Sequence, residues 1–320
     1  MNKKLIYKKN LEIQTIENIK NSKSSNTQRA YKSDYNHYLN FCEKNNLEFL
    51  NPNIKTISMY LTELSNNNYK FSTIRRRLVS ISLAYKLKGS YFDIKSPIID
   101  ENLKSIRRKL GSFQRGKKPI LIYELNKIIS AINKSKSNYR KIRDKSIILL
   151  GFSGGFRRSE IVSLDIEDIE FVHEGMKIFL KKSKTDQYGD GFIKCIPYLE
   201  NKTMCPVRVL SEWLSISNIK KGSIFRKISK SDNILENRLS DQTVALIIKK
   251  YTKIAKIENS NFSGHSLRSG FATVAASSGV DERSIMNMTG HKSSAMVRRY
   301  IRETNLFKNN ALNKFEFNTS

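Results

Sequence analysis

Acidic residues are scarce in this chain. Its 320 residues hold 29 Asp and Glu against 58 Lys and Arg, a formal net charge of +29. Such an excess points to a polyanionic partner, and nucleic acid is the commonest polyanion in cells. A basic surface kept for solubility would give the same number, so charge alone does not decide. Cysteine is scarce as well: Cys42, Cys195 and Cys205 are odd in number and form no CxxC pair. That argues for reduced thiols and against a disulfide scaffold or a zinc site. Long apolar runs are missing. The longest, Ile147–Phe156, is broken by Ser and Gly and is too short to cross a bilayer. The first ten residues are basic without the apolar run of a secretory signal. A cytoplasmic, nucleoid-associated protein without a membrane segment is therefore expected. No internal repeat is visible. What is present suffices for real cores: 39% hydrophobic residues, with 16 Phe and 14 Tyr. A chain of this length suggests two domains.

Helical spacing organises the first third. Tyr31, Tyr35, Tyr38, Leu39 and Cys42 recur on one face, with Ser25 or Asn26 as the expected cap. Ile54, Ile57, Leu61 and Leu64 mark a second helix, and Ile74, Leu78, Ile81 and Tyr85 a third that closes before Gly89. A fourth, near Glu101–Leu110, is strongly basic. Residues 1–20 read as a basic tail, 21–112 as an all-α bundle, and 113–118, within the stretch GSFQRGKKP, as a linker. Residues 119–320 read as α+β and mostly helical. Helices near Ile122–Lys134 and Arg143–Phe152 precede three short β-like runs, Ile166–Val172, Met176–Lys181 and Phe192–Pro197, that suggest a small antiparallel sheet. Beyond Cys205 the chain reads as helical to its end. The arginines Arg75, Arg76 and Arg77 on the third helix and Arg107 and Arg108 on the fourth are candidate phosphate contacts, which would position the protein without specifying sequence.

Five features of the second part carry chemistry. Arg157 follows two glycines at a helix start, with Glu160 one turn on; alone, the pair reads as a helix boundary with a surface ion pair. Lys184 lies in the loop between the second and third β-like runs, where a lysine is ordinarily just solvated. His265 and Arg268 open a helix behind Ser263, and an imidazole beside a guanidinium at a helix start suits an anion. Gly290-His291 follows a short helix from Asp281 to Met288. Tyr300 comes nine residues later, on a helix with Arg298, Arg299 and Arg302 around it.

Taken in order, Arg, then Lys on a hairpin, then His-x-Leu-Arg, then Gly-His, then Tyr within ten residues, this set resembles the tyrosine recombinases, or phage integrase family. The resemblance covers roughly Lys118–Ile301 and is tightest from Ser263 to Arg302. The N-terminal bundle is similar to that family's core-binding domain, with Asn26-Thr27 and Arg29-Ala30-Tyr31 typical of its first helix. Phe156 and Arg158 stand where smaller aliphatic residues are usual, and Thr289 stands where Leu usually precedes Gly-His. With only residues 1–20 ahead of the bundle, no separate arm-binding module is expected.

The resemblance implies a site-specific DNA recombinase that cuts and rejoins strands through a 3′-phosphotyrosyl intermediate, with no cofactor, metal or ATP. Without a metal, charge on the scissile phosphate must be met by fixed cations, and arginine offers a planar, always-charged fork. Arg157 and Arg268 are assigned to the non-bridging oxygens, Tyr300 to the attack, Lys184 to protonation of the leaving 5′-oxygen, His265 to proton movement at the tyrosine, and His291 to a hydrogen bond with the phosphate. Glu160 is a supporting residue. The implied partners are double-stranded DNA and a homotetramer on two sites, with the tail residues Leu306, Phe307, Ala311, Leu312 and Phe315 docking on a neighbouring protomer. Two alternatives stand beside this: a non-catalytic DNA-binding protein on the same scaffold, and a type IB topoisomerase-like enzyme that nicks and reseals.

Overall fold

Ile57, Tyr60, Leu61 and Leu64 fall at i, i+3, i+4 and i+7 and are all fully buried, which is the condition for an amphipathic helix to hold to a core in water. The computed structural model describes residues 22–111, 117–181, 191–257, 262–291, 293–305 and 311–314, with isolated positions between 7 and 18. The chain divides into two units, Met1–Arg115 and Gly116–Ser320.

The first unit is helical throughout its described residues: α1 Ser25–Lys44, α2 Ile54–Asn66, α3 Phe71–Leu87 and α4 Pro97–Leu110. Helix α1 packs on α3, and α2 on α4. Tyr38 and Cys42 meet Ile74, Leu78, Ile81 and Tyr85 in one core closed by Ile99 and Ile106. The cap of α1 is Ser24, one residue before the expected positions; its Oγ accepts from the Thr27 amide at 3.3 Å.

Arg77 departs from the phosphate-contact expectation. Successive helix residues turn by about 100°, so a run of three arginines cannot face one way. Arg75 is exposed. Arg76 reaches back to Asp34, with Nη1 2.6 Å from Oδ2. Arg77 is buried: its Nη1 donates to the Tyr60 hydroxyl at 3.2 Å, its guanidinium lies 4.4 Å from the Tyr69 ring centroid, and Asp34 faces it at 3.6 Å. Arg77 is thus an internal tie of the bundle and leaves the contact set. Arg107 and Arg108 remain exposed on α4.

The second unit runs α5 Ile122–Asn133, α6 Asn138–Ser153, α7 Arg158–Ser163, a 3-10 turn Ile166–Asp168, β1 Ile169–Val172, β2 Gly175–Leu180, β3 Phe192–Pro197, α8 Pro206–Ser217, β4 Arg226–Ile228, β5 Ile234–Arg238, α9 Asp241–Ile254, α10 Gly264–Ser277, α11 Glu282–Thr289 and α12 Ser294–Asn305. Strands β1, β2 and β3 form an antiparallel sheet in that order, with Ile169 opposite Ile178 and Met176 opposite Ile196. Strands β4 and β5 form a second hairpin. It was not expected: the stretch after Cys205 reads as helical, yet Leu239 and Ile224 are buried on either side of this ribbon.

Helix α6 is the spine. Ile147, Ile148, Leu149 and Leu150 are buried on every side, and α8, α10 and α5 all pack on it. Arg143 and Asp144 pair within it at 2.7 Å, and Tyr251 of α9 donates to Asp144 at 3.1 Å. Gly270 lets α10 meet the chain ahead of α5 backbone to backbone: a Cβ there would stand 2.0 Å from the Ile120 carbonyl oxygen. A separate small cluster, Ala272, Ala275, Ala276, Ile285 and Val297, joins α10, α11 and α12. No described helix is long and apolar enough to cross a membrane.

The bundle assignment makes a direct prediction. Arg77→Ala removes a hydrogen bond, a stacked cation and a partner of buried Asp34, and is expected to lower unfolding free energy by about 2 kcal/mol. Arg75→Ala should change it by less than about 0.5 kcal/mol. Urea denaturation of the two variants checks this, and equal effects would contradict the assignment.

Candidate active site

Arg157 stands at the N-cap of α7, in the turn that leaves α6. Its amide donates to Glu160 Oε2 at 2.9 Å, and its guanidinium donates to Glu160 Oε1. Glu160 is buried, so it satisfies two donors and aims the arginine without reaching solvent itself. Arg268 approaches the same turn from α10, packed within the helix layer and 1% exposed. Its Nη1 donates to the Gly155 carbonyl at 2.9 Å, while Nη2 has no hydrogen-bond partner among the described residues. Burial, with Arg157 beside it, lowers its pKa to about 10, opposed by Glu160 and by Tyr300. The guanidinium therefore stays charged at neutral pH. A buried guanidinium with an unpaired Nη2 is costly unless an anion meets it.

His291 follows Gly290, whose left-handed backbone (φ 63°) ends α11. Its Nδ1 lies 2.7 Å from the Thr289 hydroxyl, which in turn lies 2.6 Å from the Ile285 carbonyl oxygen. The ring is buried and its Nε2 has no hydrogen-bond partner among the described residues. Burial first, then Arg268, Arg157, His265 and Lys194, depresses its pKa to about 4, so the imidazole is neutral at pH 7. His265, on the first turn of α10, is exposed, and its amide donates to the capping Ser263 Oγ at 3.3 Å. Arg268 on the same helix is not: the expected shared face splits into an exposed imidazole and a buried guanidinium. Tyr300 is half-buried on α12 against the alanine cluster, and its charge acts on Arg268. Arg157, His265, Arg268, His291 and Tyr300 thus fall within one electrostatic neighbourhood. Lys184 lies outside the described residues.

Lys194 was missed in the sequence. It is 2% exposed, on the inward face of β3 opposite Ile178. Its Nζ donates to the Gly154 and Met288 carbonyls, both at 2.7 Å, and lies 4.2 Å from the Phe156 ring centroid. Burial lowers its pKa to about 7, with Arg268 and Arg157 adding to the effect against Glu160. Pleat parity places Lys194 on the same face as Ile196, but Ile193 makes the other face apolar too, so the sequence alone does not mark Lys194 as inward.

Of the expected tail, Leu306, Phe307 and Phe315 lie outside the described residues, Ala311 and Leu312 belong to a 3-10 turn Ala311–Lys314, and Leu312 is exposed. Among the described residues no three His, Cys, Asp or Glu side chains gather as metal ligands.

Comparison with known proteins shows the family. Residues 121–306 match the phage integrase family, and residues 16–87 match the phage integrase N-terminal SAM-like domain. An integrase/recombinase xerD homolog from Selenomonas ruminantium is 39% identical over 307 residues, covering 95% of this chain and 89% of the relative. A tyrosine recombinase XerC from Herpetosiphon aurantiacus is 26% identical, covering 88% and 86%. Among solved structures, a XerH site-specific recombinase bound to palindromic difH substrate superposes with TM-score 0.61 at 18% identity, covering 82% of this chain and 72% of that one. A lambda integrase dimer bound to a COC′ core site gives 0.58 at 16%, covering 99% and 85%. These two likenesses speak for the fold, and the sequence matches speak for the family. With the arginine, histidine and tyrosine positions gathered at one place and both parts of the chain matched, the protein is a tyrosine recombinase of the phage integrase family.

Proposed function

We propose that this recombinase acts on double-stranded DNA with Arg157, Lys184, His265, Arg268, His291 and Tyr300 as its chemical groups and Glu160 as the holder of Arg157. The observation that carries the assignment is Arg268: a charged guanidinium removed from water, with one nitrogen unpartnered among the described residues and Tyr300 close enough to interact with it electrostatically. A phosphodiester anion is the ligand that such a group lacks, and the solved relatives just described, bound to difH and COC′ sites, take DNA. In this reading residues 21–112 clamp the duplex and 119–320 cut it, in the cytoplasm where nucleoid DNA is found.

The Tyr300 oxygen bonds to phosphorus as the bond from phosphorus to the 5′-oxygen breaks. The phenolic proton moves by way of His265, and Lys184 protonates the departing oxygen. A free phenol has a pKa near 10, so attack calls for positive charge beside the oxygen, and Arg268 is the cation that interacts with Tyr300. Attack by a second 5′-hydroxyl reverses the step, so the phosphotyrosine conserves the bond and no ATP is consumed. For His291 to donate from Nε2, Nδ1 must accept. The Thr289 hydroxyl then turns its proton from the Ile285 carbonyl to the ring, or the ring gains a proton as the phosphate arrives. Exchange between two duplexes calls for four protomers, with the tail of each docked on a neighbour.

Three outcomes test this. Incubated with nicked duplexes of randomised sequence, the full chain is expected to form detergent-resistant protein–DNA adducts whose sequencing yields the preferred site. Tyr300→Phe should form none, and adducts that persist in that variant would exclude the assigned nucleophile. Duplex affinity should fall steeply with salt, by about a thousandfold between 50 and 200 mM for some six phosphate contacts; a flat response would count against the phosphate reading. Deleting residues 304–320 should leave binding to one duplex intact and abolish pairing of two marked duplexes in exchange assays, whereas unchanged exchange would reject docking in trans.

A further inference from the structure

Two helix ends converge on Lys194. Gly154 caps the C-terminus of α6 and Met288 lies in the last turn of α11. Carbonyls in the final turn of a helix have no partner within it, and together they give that end a partial negative charge. The Lys194 ammonium accepts this role for both ends at once, at 2.7 Å to each oxygen, and its remaining side faces the Phe156 ring. Three residues past Gly154 comes Arg157, and three past Met288 comes His291. One cation therefore ties the turn that presents the first arginine to the turn that presents the histidine.

We propose that Lys194 is a positioning residue of the cleavage pocket, fixing the spacing between the Arg157 turn and the His291 turn. It is not a proton donor to substrate: it is 2% exposed, and two carbonyls and a ring already surround its nitrogen. The charges around it are Glu160, which favours the ammonium, and Arg268 and Arg157, which oppose it; neutral His291 stands on the far turn. An anionic phosphate in the pocket adds a further charge that favours the ammonium, so binding of DNA tightens the same clamp that orders the site. A main-chain shift of about 1 Å in such a turn is enough to cost up to a hundredfold in rate.

The inference rests on the recombinase chemistry proposed above, and the test separates the two. Covalent adduct formation by the full chain is followed on a nicked duplex selected from the randomised pool, at saturating protein, alongside the affinity for the same duplex and the melting transition. In Lys194→Met the rate of adduct formation is expected to fall about 10- to 100-fold while duplex affinity stays within about twofold. Lys194→Arg, which keeps a cation, should recover most of the loss. Lys194→Gln substitutes for Lys194→Met if the latter does not fold. Adduct formation within about twofold of wild type in the neutral variants would overturn the proposal. So would equal losses in affinity and rate, or loss of cooperative melting in both neutral variants, since either makes Lys194 a packing residue only. No adduct from the wild-type chain would instead overturn the proposed chemistry, and the role of Lys194 with it.

Discussion

The second unit is arranged around one buried guanidinium. A charge moved out of water costs several kcal/mol unless its surroundings replace the lost hydration. For Arg268 they do so in part: the Gly155 carbonyl takes Nη1 at 2.9 Å and the Glu160 carboxylate supplies the balancing charge. Gly155 lies in the turn between α6 and α7 and Glu160 in the first turn of α7, where it holds Arg157, so satisfying Arg268 also fixes the place of Arg157. The helix carrying Arg268 can lie this close because Gly270 accepts backbone contact with Ile120, and because α6, buried all round, gives it a rigid floor. The pocket is thus a consequence of packing that leaves Nη2 of a fixed cation without a partner among the described residues.

The electrostatic balance follows from that. Arg268 stays charged, Glu160 offsets it, and His291 is held neutral by burial and by its cationic neighbours. Neutrality there avoids the repulsion that one more cation beside Arg268, Arg157 and Lys194 would add. It also makes the Thr289 hydroxyl matter, because a neutral ring has one donor nitrogen and the hydroxyl at 2.7 Å fixes which one it is. Thr289 stands where the family resemblance leads to an expectation of leucine, so in this chain a hydroxyl, not an apolar side chain, meets Nδ1 of His291.

Much of this was legible in the sequence, for identifiable reasons. The bundle helices were readable because Ile57, Leu61 and Leu64, or Ile74, Leu78 and Ile81, repeat at a spacing that only a helix buries on one side. The site was readable because residue types with few structural reasons to recur in that order did so. Three things were not. The β4–β5 hairpin is short and mostly polar, with Glu236, Asn237 and Arg238 along an exposed strand, so no alternation announced it. Arg77 carried the same letter as its neighbours, and only the angular step of the helix separates a buried tie from an exposed cation. Lys194 lay in a strand, Phe192–Pro197, with apolar residues on both faces; Ile193 is exposed and Ile196 buried, and sequence could not say which face was inward.

The two halves of the chemistry are held with different firmness. The arginines and Lys194 hang from the large core of the second unit, through α6, α10 and β3. Tyr300 rests on a thinner cluster in which three of the five buried members are alanine. Small side chains let α12 lie close on α10, yet each contributes little apolar area, so α12 holds its place by less burial than the helices beneath it.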